Sequence, residues 1–292
     1  MQIGFIGVGA MGGPLARNLI KSGKNVLIYD ISSDAIDRTI SVGETGKKAE
    51  SIEDLLAVDI LFTSLPMPDD LRKLMLGDDG ILTKLKGGSF YIDVSTIDAG
   101  LATEINQACL EKNIRFLGCP LGRTPGHAER AEEPIYAGGK EKDFKEMQPL
   151  LESIGSPVIY MGSCEASYTA KLLGNMMGGV FIAAISEAFA VAEKVGLDMS
   201  HFLKFAKESG GDSAQLNVRG PKIVDKDFSS LFSLDLLLKD MRLGCEVAEA
   251  VGVDVQTMKQ AREAFLRASQ QGLGRQDAVA VFKAIGTMEY RN

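Results

Sequence analysis

Cysteine is scarce and scattered in this chain. Cys109, Cys119, Cys164 and Cys245 form no C-x-x-C pair, and residues so far apart supply neither a metal site nor a disulfide framework. The spacing predicts free thiols and a reducing, cytoplasmic setting. Histidine is scarcer still: His127 sits in a polar loop and His201 begins a late helix, positions that suit a solvated or capping residue better than a catalytic one. No basic cluster exists. Lysines and arginines are spread through a chain of formal net charge −7, so no basic face is available to neutralise phosphates, and nucleic acid is excluded as a partner. The opening Met-Gln-Ile-Gly-Phe-Ile-Gly has no basic n-region and no cleavage signal, so a secretory leader is not expected. Repeats and low-complexity tracts are absent as well.

What is present is an ordinary globular composition, 45% hydrophobic and 24% charged over 292 residues, enough for two domains. β-rich runs at Gln2–Gly7, Asn25–Asp30, Asp59–Leu65, Ser89–Val94, Ile114–Leu117, Pro134–Ala137 and Pro157–Met161 alternate with helix-length segments such as Met11–Ser22, Ser33–Val42 and Ala99–Lys112. This alternation predicts a parallel sheet covered on both faces. After Gly162 the character changes. A stretch from about 165 to 195 contains no proline and is rich in Ala, Met, Leu and Phe, which predicts one unusually long helix. Its apolar part, Leu172–Ala192, carries Asn175, Ser186 and Glu187; a bilayer span with those groups would be costly, so a buried helix is expected and no membrane. Gly196 followed by Asp198–Ser200 reads as a stop and a new N-cap. The rest is helical, with loops expected near Gly210–Asp212, Gly220–Pro221 and Gly272–Gly274. The expected division is residues 1–162 as an α/β dinucleotide-binding domain and 163–292 as a helical domain, with the active site in the cleft between them.

The strongest local signal is Gly7-Val8-Gly9-Ala10-Met11-Gly12, which follows a hydrophobic strand and opens a helix. Gly7 permits the tight turn, Gly9 lets backbone approach a pyrophosphate, and Gly12 lets helix pack on strand. The helix N-terminus offers free N–H groups to the phosphates. Asp30, at the end of the second strand, is placed to accept hydrogen bonds from an adenosine ribose diol, and it would repel a 2′-phosphate. NAD rather than NADP is expected.

With that loop in place, the chain resembles the β-hydroxyacid dehydrogenase family. The run Phe5-Ile6-Gly7-Val8-Gly9-Ala10-Met11-Gly12-Gly13-Pro14-Leu15-Ala16-Arg17-Asn18-Leu19 is similar to that family's opening signature. Further matches, in the family's order, are Leu65-Pro66, Asp93-Val94-Ser95-Thr96-Ile97-Asp98, Lys171-Leu172-Leu173-Gly174-Asn175 and Lys239-Asp240. The resemblance implies a Rossmann domain, a long interdomain helix and an all-α C-terminal domain. It implies that Ala10, Met11, Asp30, Leu65, Pro66, Thr96 and Lys239 line the dinucleotide, that Lys171 is catalytic and that Asn175 helps bind substrate. Where the family usually has an acidic-Ala-Pro-Val-Ser-Gly-Gly segment, this chain has Gly118-Cys119-Pro120-Leu121-Gly122-Arg123-Thr124. That segment, with Gly274-Arg275-Gln276-Asp277, is similar to the sulfolactaldehyde reductase branch. Gly174 stands where that branch has an asparagine, Glu132 and Glu133 replace small or apolar residues, and Glu165 and Ser167 replace glycines.

The residues themselves point the same way. Lys171 enters an apolar helix and Asn175, four residues on, shares its face. A protonated lysine can donate to a carbonyl oxygen as hydride arrives and abstract the alcohol proton in reverse; Lys239 is the candidate second cation that would lower its pKa. Gly122 admits close backbone approach, Arg123 offers a planar fork for a carboxylate or sulfonate, and Thr124 adds a hydroxyl. Ser95 and Thr96 end a strand, within reach of nicotinamide or substrate. The expected reaction is NAD-dependent interconversion of a small anionic semialdehyde and its hydroxy acid. 3-Sulfolactaldehyde is the favoured example; 3-hydroxyisobutyrate, tartronate semialdehyde and succinic semialdehyde enzymes are the alternatives within the class. Imine reductases share the fold, but the resemblance implies that they usually replace the lysine. A non-enzymatic dinucleotide-binding protein is the contrasting class. So much apolar helical surface also predicts a homodimer or homotetramer.

Overall fold

The structure, a computed structural model, describes residues 1–285. Its strands are β1 (Gln2–Ile6), β2 (Asn25–Tyr29), β3 (Gly46–Lys48), β4 (Ile60–Thr63), β5 (Phe90–Asp93), β6 (Arg115–Gly118), β7 (Ile135–Gly139) and β8 (Val158–Tyr160). Between them run α1 (Gly12–Lys21), α2 (Ser33–Ile40), α3 (Pro68–Leu76), α4 (Ala99–Glu111), α5 (Pro125–Glu129) and α6 (Glu141–Glu152). Then come α7 (Cys164–Lys194), α8 (Met199–Lys207), α9 (Ala214–Val224), α10 (Leu234–Ala250), α11 (Gln256–Ala268) and α12 (Val281–Ile285). The chain forms two compact units, Met1–Lys171 and Leu172–Asn292, and α7 runs through the boundary.

In the first unit the strand order is β3-β2-β1-β4-β5-β6-β7-β8. Winding reverses between β1 and β4, the switch point beyond which open α/β sheets bind their ligands. Successive side chains of a strand face opposite sides, and both sides are apolar here. Ile3, Phe5, Ile28, Phe62 and Ile92 pack with Leu15 and Leu19 of α1 and with Leu151 of α6. Leu61, Tyr91 and Phe116 pack with Leu71 of α3 and with Leu101 and Ile105 of α4. Two features depart from the sequence expectation. The short, polar β3 is an additional strand, paired in parallel with β2. And β7 runs antiparallel to β6, with β8 parallel to β7, so the sheet is mixed. A parallel neighbour needs a full crossover, and the segment between Gly118 and Ile135 contains only the one-turn α5.

The second unit buries Ile182, Phe189, Leu216, Ile223, Leu237, Met241, Phe265 and Val281 in one core. Gly196 adopts φ +79° and the Asp198 side chain accepts the His201 N–H at 2.8 Å, which ends α7 and starts α8. Gly220 and Pro221, expected in a loop, instead lie inside α9. A Cβ at Gly220 would stand 2.5 Å from the Leu203 side chain, so this glycine serves helix–helix approach rather than a turn. α7 also differs from expectation. Leu172, Met176, Ile182, Ile185 and Phe189 are buried, while Leu173, Met177, Phe181 and Val191 are exposed, so the helix is apolar all round but covered on one side. By length and hydropathy alone it could also cross a membrane.

Candidate active site

The glycine loop is built as its sequence dictates. Gly7 has φ +88°, and a Cβ there would lie 2.3 Å from the Ser64 carbonyl oxygen. At Gly12 a Cβ would lie 2.0 Å from the Gly7 oxygen, whereas Gly9 faces open space. The N-cap of α1 is Met11, which offers no side-chain cap, and the first turn holds no acidic residue. Apart from the Gly13 N–H, which donates to Gly9 O at 3.0 Å, the helix end has no side chain to meet its amides, so it can receive an anionic ligand, and the cradle suits a dinucleotide pyrophosphate. Asp30 Oδ2 accepts the Val8 N–H at 2.7 Å and Oδ1 the Ser32 N–H at 2.8 Å. These bonds hold the carboxylate at the tip of β2 with lone pairs to spare. Beside the loop lies a depression of about 340 Å³ lined by Val8, Gly9, Ala10, Arg17, Arg38 and Glu129 among others. The sequence gives no hint that Arg38, a turn into α2, reaches this side of the loop.

Asp93 organises the next strand ends. It is fully buried at the end of β5 and accepts three hydroxyls: Thr63 Oγ1 at 2.6 Å, Ser95 Oγ at 2.7 Å and Tyr168 OH at 2.6 Å. Burial pushes its pKa up, and the three hydroxyls pull against that shift. Ser95 Oγ also accepts the Leu65 N–H at 2.9 Å. The Ser95 proton is therefore committed to Asp93, and its hydroxyl can meet a ligand only through its remaining lone pair. Tyr168 belongs to α7, so this node ties the start of that helix to β4 and β5. Ser167 adds a second tie, donating to Gly118 O at 3.1 Å. Gly118 is required there, since its Cβ would stand 2.5 Å from the Tyr168 ring. Lys171 follows one turn later.

The segment after β6 carries the remaining first-unit residues. Gly122 N–H donates to Pro134 O at 2.9 Å, and a Cβ on Gly122 would meet Tyr136 OH at 2.7 Å. Arg123 is exposed, while its backbone N–H donates to Glu133 Oε1. Thr124 Oγ1 pairs with His127 Nδ1 at 2.9 Å, which makes that histidine a loop-closing residue. Glu133 is fully buried, and its Oε2 has no hydrogen-bond partner among the described residues. Burial raises the Glu133 pKa, against the pull of the Arg123 amide and of the Lys171 and Arg123 charges.

In the second unit Asn175 Nδ2 donates to Asp240 Oδ2 at 2.5 Å, and Lys239 Nζ lies 3.2 Å from Asp240 Oδ1. Lys239 and Asp240 are both buried, so Asp240 joins the two residues that the sequence singles out there. Asp277, matched to the sulfolactaldehyde reductase branch, is structural. It is buried, pairs with Arg219 Nε at 3.1 Å and accepts the Leu231, Phe232 and Val279 amides.

In the first unit, then, Gly7, Gly9, Ala10, Met11, Gly12, Asp30, Leu65, Pro66, Ser95, Thr96, Gly122, Arg123 and Thr124 all follow the carboxyl ends of adjacent strands, whose last residues Tyr29, Ile6, Thr63, Asp93 and Gly118 are in register. Sequence reasoning assigned no role to Asp93, Thr63, Tyr168, Glu133 or Asp240. Asp93, between Ile92 and Val94, and Asp240, beside Lys239, stand inside the matched motifs, the signal from which their part in the site could be read.

Comparison with known proteins covers nearly the whole chain. The profile of the NAD binding domain of 6-phosphogluconate dehydrogenase matches residues 2–162. That for the NAD-binding of NADP-dependent 3-hydroxyisobutyrate dehydrogenase matches residues 166–285. The 2-(hydroxymethyl)glutarate dehydrogenase of Eubacterium barkeri is 30% identical, covering 97% of this chain and 94% of its own. The 3-sulfolactaldehyde reductase of Escherichia coli is 27% identical over 97% and 95%. The crystal structure of a 3-hydroxyisobutyrate dehydrogenase from Salmonella typhimurium superposes with a TM-score of 0.88 at 27% identity, covering 97% of this chain and 99% of that one.

Proposed function

For a chain that belongs to the β-hydroxyacid dehydrogenase family, oxidoreductases that act on CH–OH groups with a pyridine dinucleotide, we propose NAD-dependent interconversion of a small anionic semialdehyde and its hydroxy acid. The favoured pair is 3-sulfolactaldehyde and 2,3-dihydroxypropane-1-sulfonate. The observation that carries this reading is the Tyr168–Asp93–Ser95 node, which fixes the helix bearing Lys171 to the carboxyl end of the sheet. The bound dinucleotide supplies the hydride. Protonated Lys171 donates to the substrate carbonyl oxygen and passes its proton to it as negative charge builds. In reverse, neutral Lys171 takes the alcohol proton. Asn175, one turn along the same helix, holds the substrate oxygen or anion, with Ser95, Gly122, Arg123 and Thr124 as further contacts. The loop from Gly7 to Gly12, Asp30, Leu65, Pro66, Thr96 and Lys239 receive the cofactor.

Asp30 supports NAD, since its carboxylate would repel a 2′-phosphate. Arg17 and Arg38 beside the glycine loop are the observation that would favour NADP. The exposed face of α7, with Leu173, Met177, Phe181 and Val191, supports a homodimer or homotetramer. The buried free thiols suit a cytoplasmic protein. The test is a panel of 3-sulfolactaldehyde, tartronate semialdehyde, succinic semialdehyde and methylmalonate semialdehyde, each with NADH and NADPH. Turnover with NADH in preference to NADPH, fastest on one of these anions, is expected. No turnover on any of them with either cofactor would leave a dinucleotide-binding protein without this activity.

A further inference from the structure

We propose that Gln215 is a substrate-binding residue, an amide donor aimed by Arg219 at the carboxylate or sulfonate of the semialdehyde, at the end away from the reacting carbon. The inference rests on the reading of Lys171 and Asn175 as the substrate-facing residues of α7. Those two residues and Gly178 stand at positions i, i+4 and i+7 of one helix, so they share a face. A Cβ on Gly178 would stand 3.1 Å from Gln215 Nε2. The amide of Gln215, from α9, thus lies over that face, one turn beyond Asn175 and two beyond Lys171. Gln215 is half-buried, so a ligand can still reach it.

Arg219, one turn further along α9, fixes which way that amide points. Its Nη1 donates to Gln215 Oε1 at 2.5 Å. A guanidinium has donors only, so the carbonyl end of Gln215 must face Arg219 and the NH2 end is left toward α7. Arg219 is itself immobilised: it is buried, and its Nε donates to Asp277 Oδ1 at 3.1 Å. Asp277 is held in turn by the Leu231, Phe232 and Val279 amides. A charged donor on Oε1 draws electron density from the amide nitrogen and makes its N–H groups stronger donors, which suits an anionic acceptor. Asn175 commits one of its own N–H groups to Asp240, and Gln215 adds a donor to the same face. Arg219 is a positioning residue here, acting through Gln215.

The test pairs each semialdehyde of the panel with the same aldehyde lacking its acidic group, for example 3-sulfolactaldehyde with lactaldehyde and succinic semialdehyde with propanal, all with NADH. Gln215→Leu keeps the size and removes the donor. It should raise KM for the anionic aldehyde about tenfold or more, with kcat within about twofold, and leave kcat/KM for the neutral partner within about twofold. Gly178→Ala, which brings a methyl group against Nε2, should give the same selective rise and serves if the leucine variant does not fold. Arg219→Met should do so too, and in the Gln215→Leu background it should add nothing further to KM. A folded Gln215 or Gly178 variant whose KM for the anion is unchanged, or whose efficiency falls equally on the neutral partner, would overturn the proposal, since lost packing alone does not distinguish the two. Failure of the underlying reading looks different, as no turnover of any semialdehyde by the wild type. Calorimetric titration of 4-hydroxybutyrate onto the complex with NAD then reads the same contact. A Kd raised about tenfold by Gln215→Leu supports the proposal; an unchanged Kd or absence of binding overturns it.

Discussion

Asp93 shows how one buried side chain sets several others. Its three hydroxyl donors come from β4, from the loop after β5 and from α7. The node therefore positions Ser95 and Leu65 on one side and the Lys171 helix on the other. Asp93→Asn keeps the shape but weakens three charge-assisted hydrogen bonds. It should cost about 1–3 kcal/mol of stability, seen as a lower urea midpoint, and should reduce kcat more than dinucleotide affinity. A variant with full activity and unchanged stability would show that the node positions nothing. Lys171 is tested more directly. If its ammonium supplies the proton, Lys171→Ala should lose about 10²–10⁴-fold in kcat while NADH binding, followed by fluorescence, stays within about twofold. Near-normal turnover would remove Lys171 from the chemistry. Asp30→Ser should raise the efficiency with NADPH relative to NADH, because a ribose acceptor that repels a 2′-phosphate has gone. An unchanged ratio would put the discrimination elsewhere, with Arg17 and Arg38 the first places to look.

Helices pack here through glycines whose role depends on what faces them. A Cβ on Gly244 of α10 would stand 1.9 Å from Met176 Sδ of α7, and one on Gly179 would stand 2.5 Å from Met241 Sδ. Gly179 thus lets α10 approach α7 closely, whereas Gly174 faces open space. Gly244→Ala should cost about 1–3 kcal/mol by overpacking. Since the obstacle is a flexible methionine, the cost should shrink in a Met176→Ala background, and a double-mutant cycle on urea midpoints would show coupling above about 0.5 kcal/mol. Strict additivity would mean that the two helices do not meet through this pair. The same dependence on distant partners decides what the sequence could reveal. β1, β2, β4 and β5 are legible within a residue or two because their apolar runs end at turn residues, and the glycine loop is legible because its chemistry is local. β3 is not, since Gly46-Lys47-Lys48 is a short polar edge strand with no hydrophobic period. Nor is Gly220 in α9, where a residue that usually marks a turn instead answers to Leu203. The Asp93–Tyr168 bond spans 75 residues, and no local pattern announces it. Glu133 shows only as an acidic residue ahead of an apolar strand.

At the scale of the whole molecule, the four scattered cysteines become four buried thiols, and their burial has a pH consequence. Burial pushes Cys109 and Cys164 up to about 12 and Cys119 still further in the same direction, whereas an unfolded thiol ionises near about 8.5. The folded-state pKa is the higher one, so above about pH 8.5 the unfolded chain sheds protons that the native chain retains. The thiols' contribution is therefore fully present below that pH and is lost as pH rises toward 12. Each fully shifted thiol removes about 1.4 kcal/mol of stability per pH unit in that window. The urea midpoint should thus fall steeply between pH 8 and 10, while the native protein at pH 8 reacts with a thiol reagent only as fast as it opens. All four cysteines should react at once in denaturant. If the native thiols react rapidly at pH 8 and the midpoint holds to pH 10, they are reachable from water in the native state. The packing of Cys109 and Cys164 against α4 and the start of α7 would then be looser than the structure has it. Because α7 carries Lys171, such loosening would also bear on catalysis, and activity measured along the same pH series would fall before the global unfolding midpoint is reached.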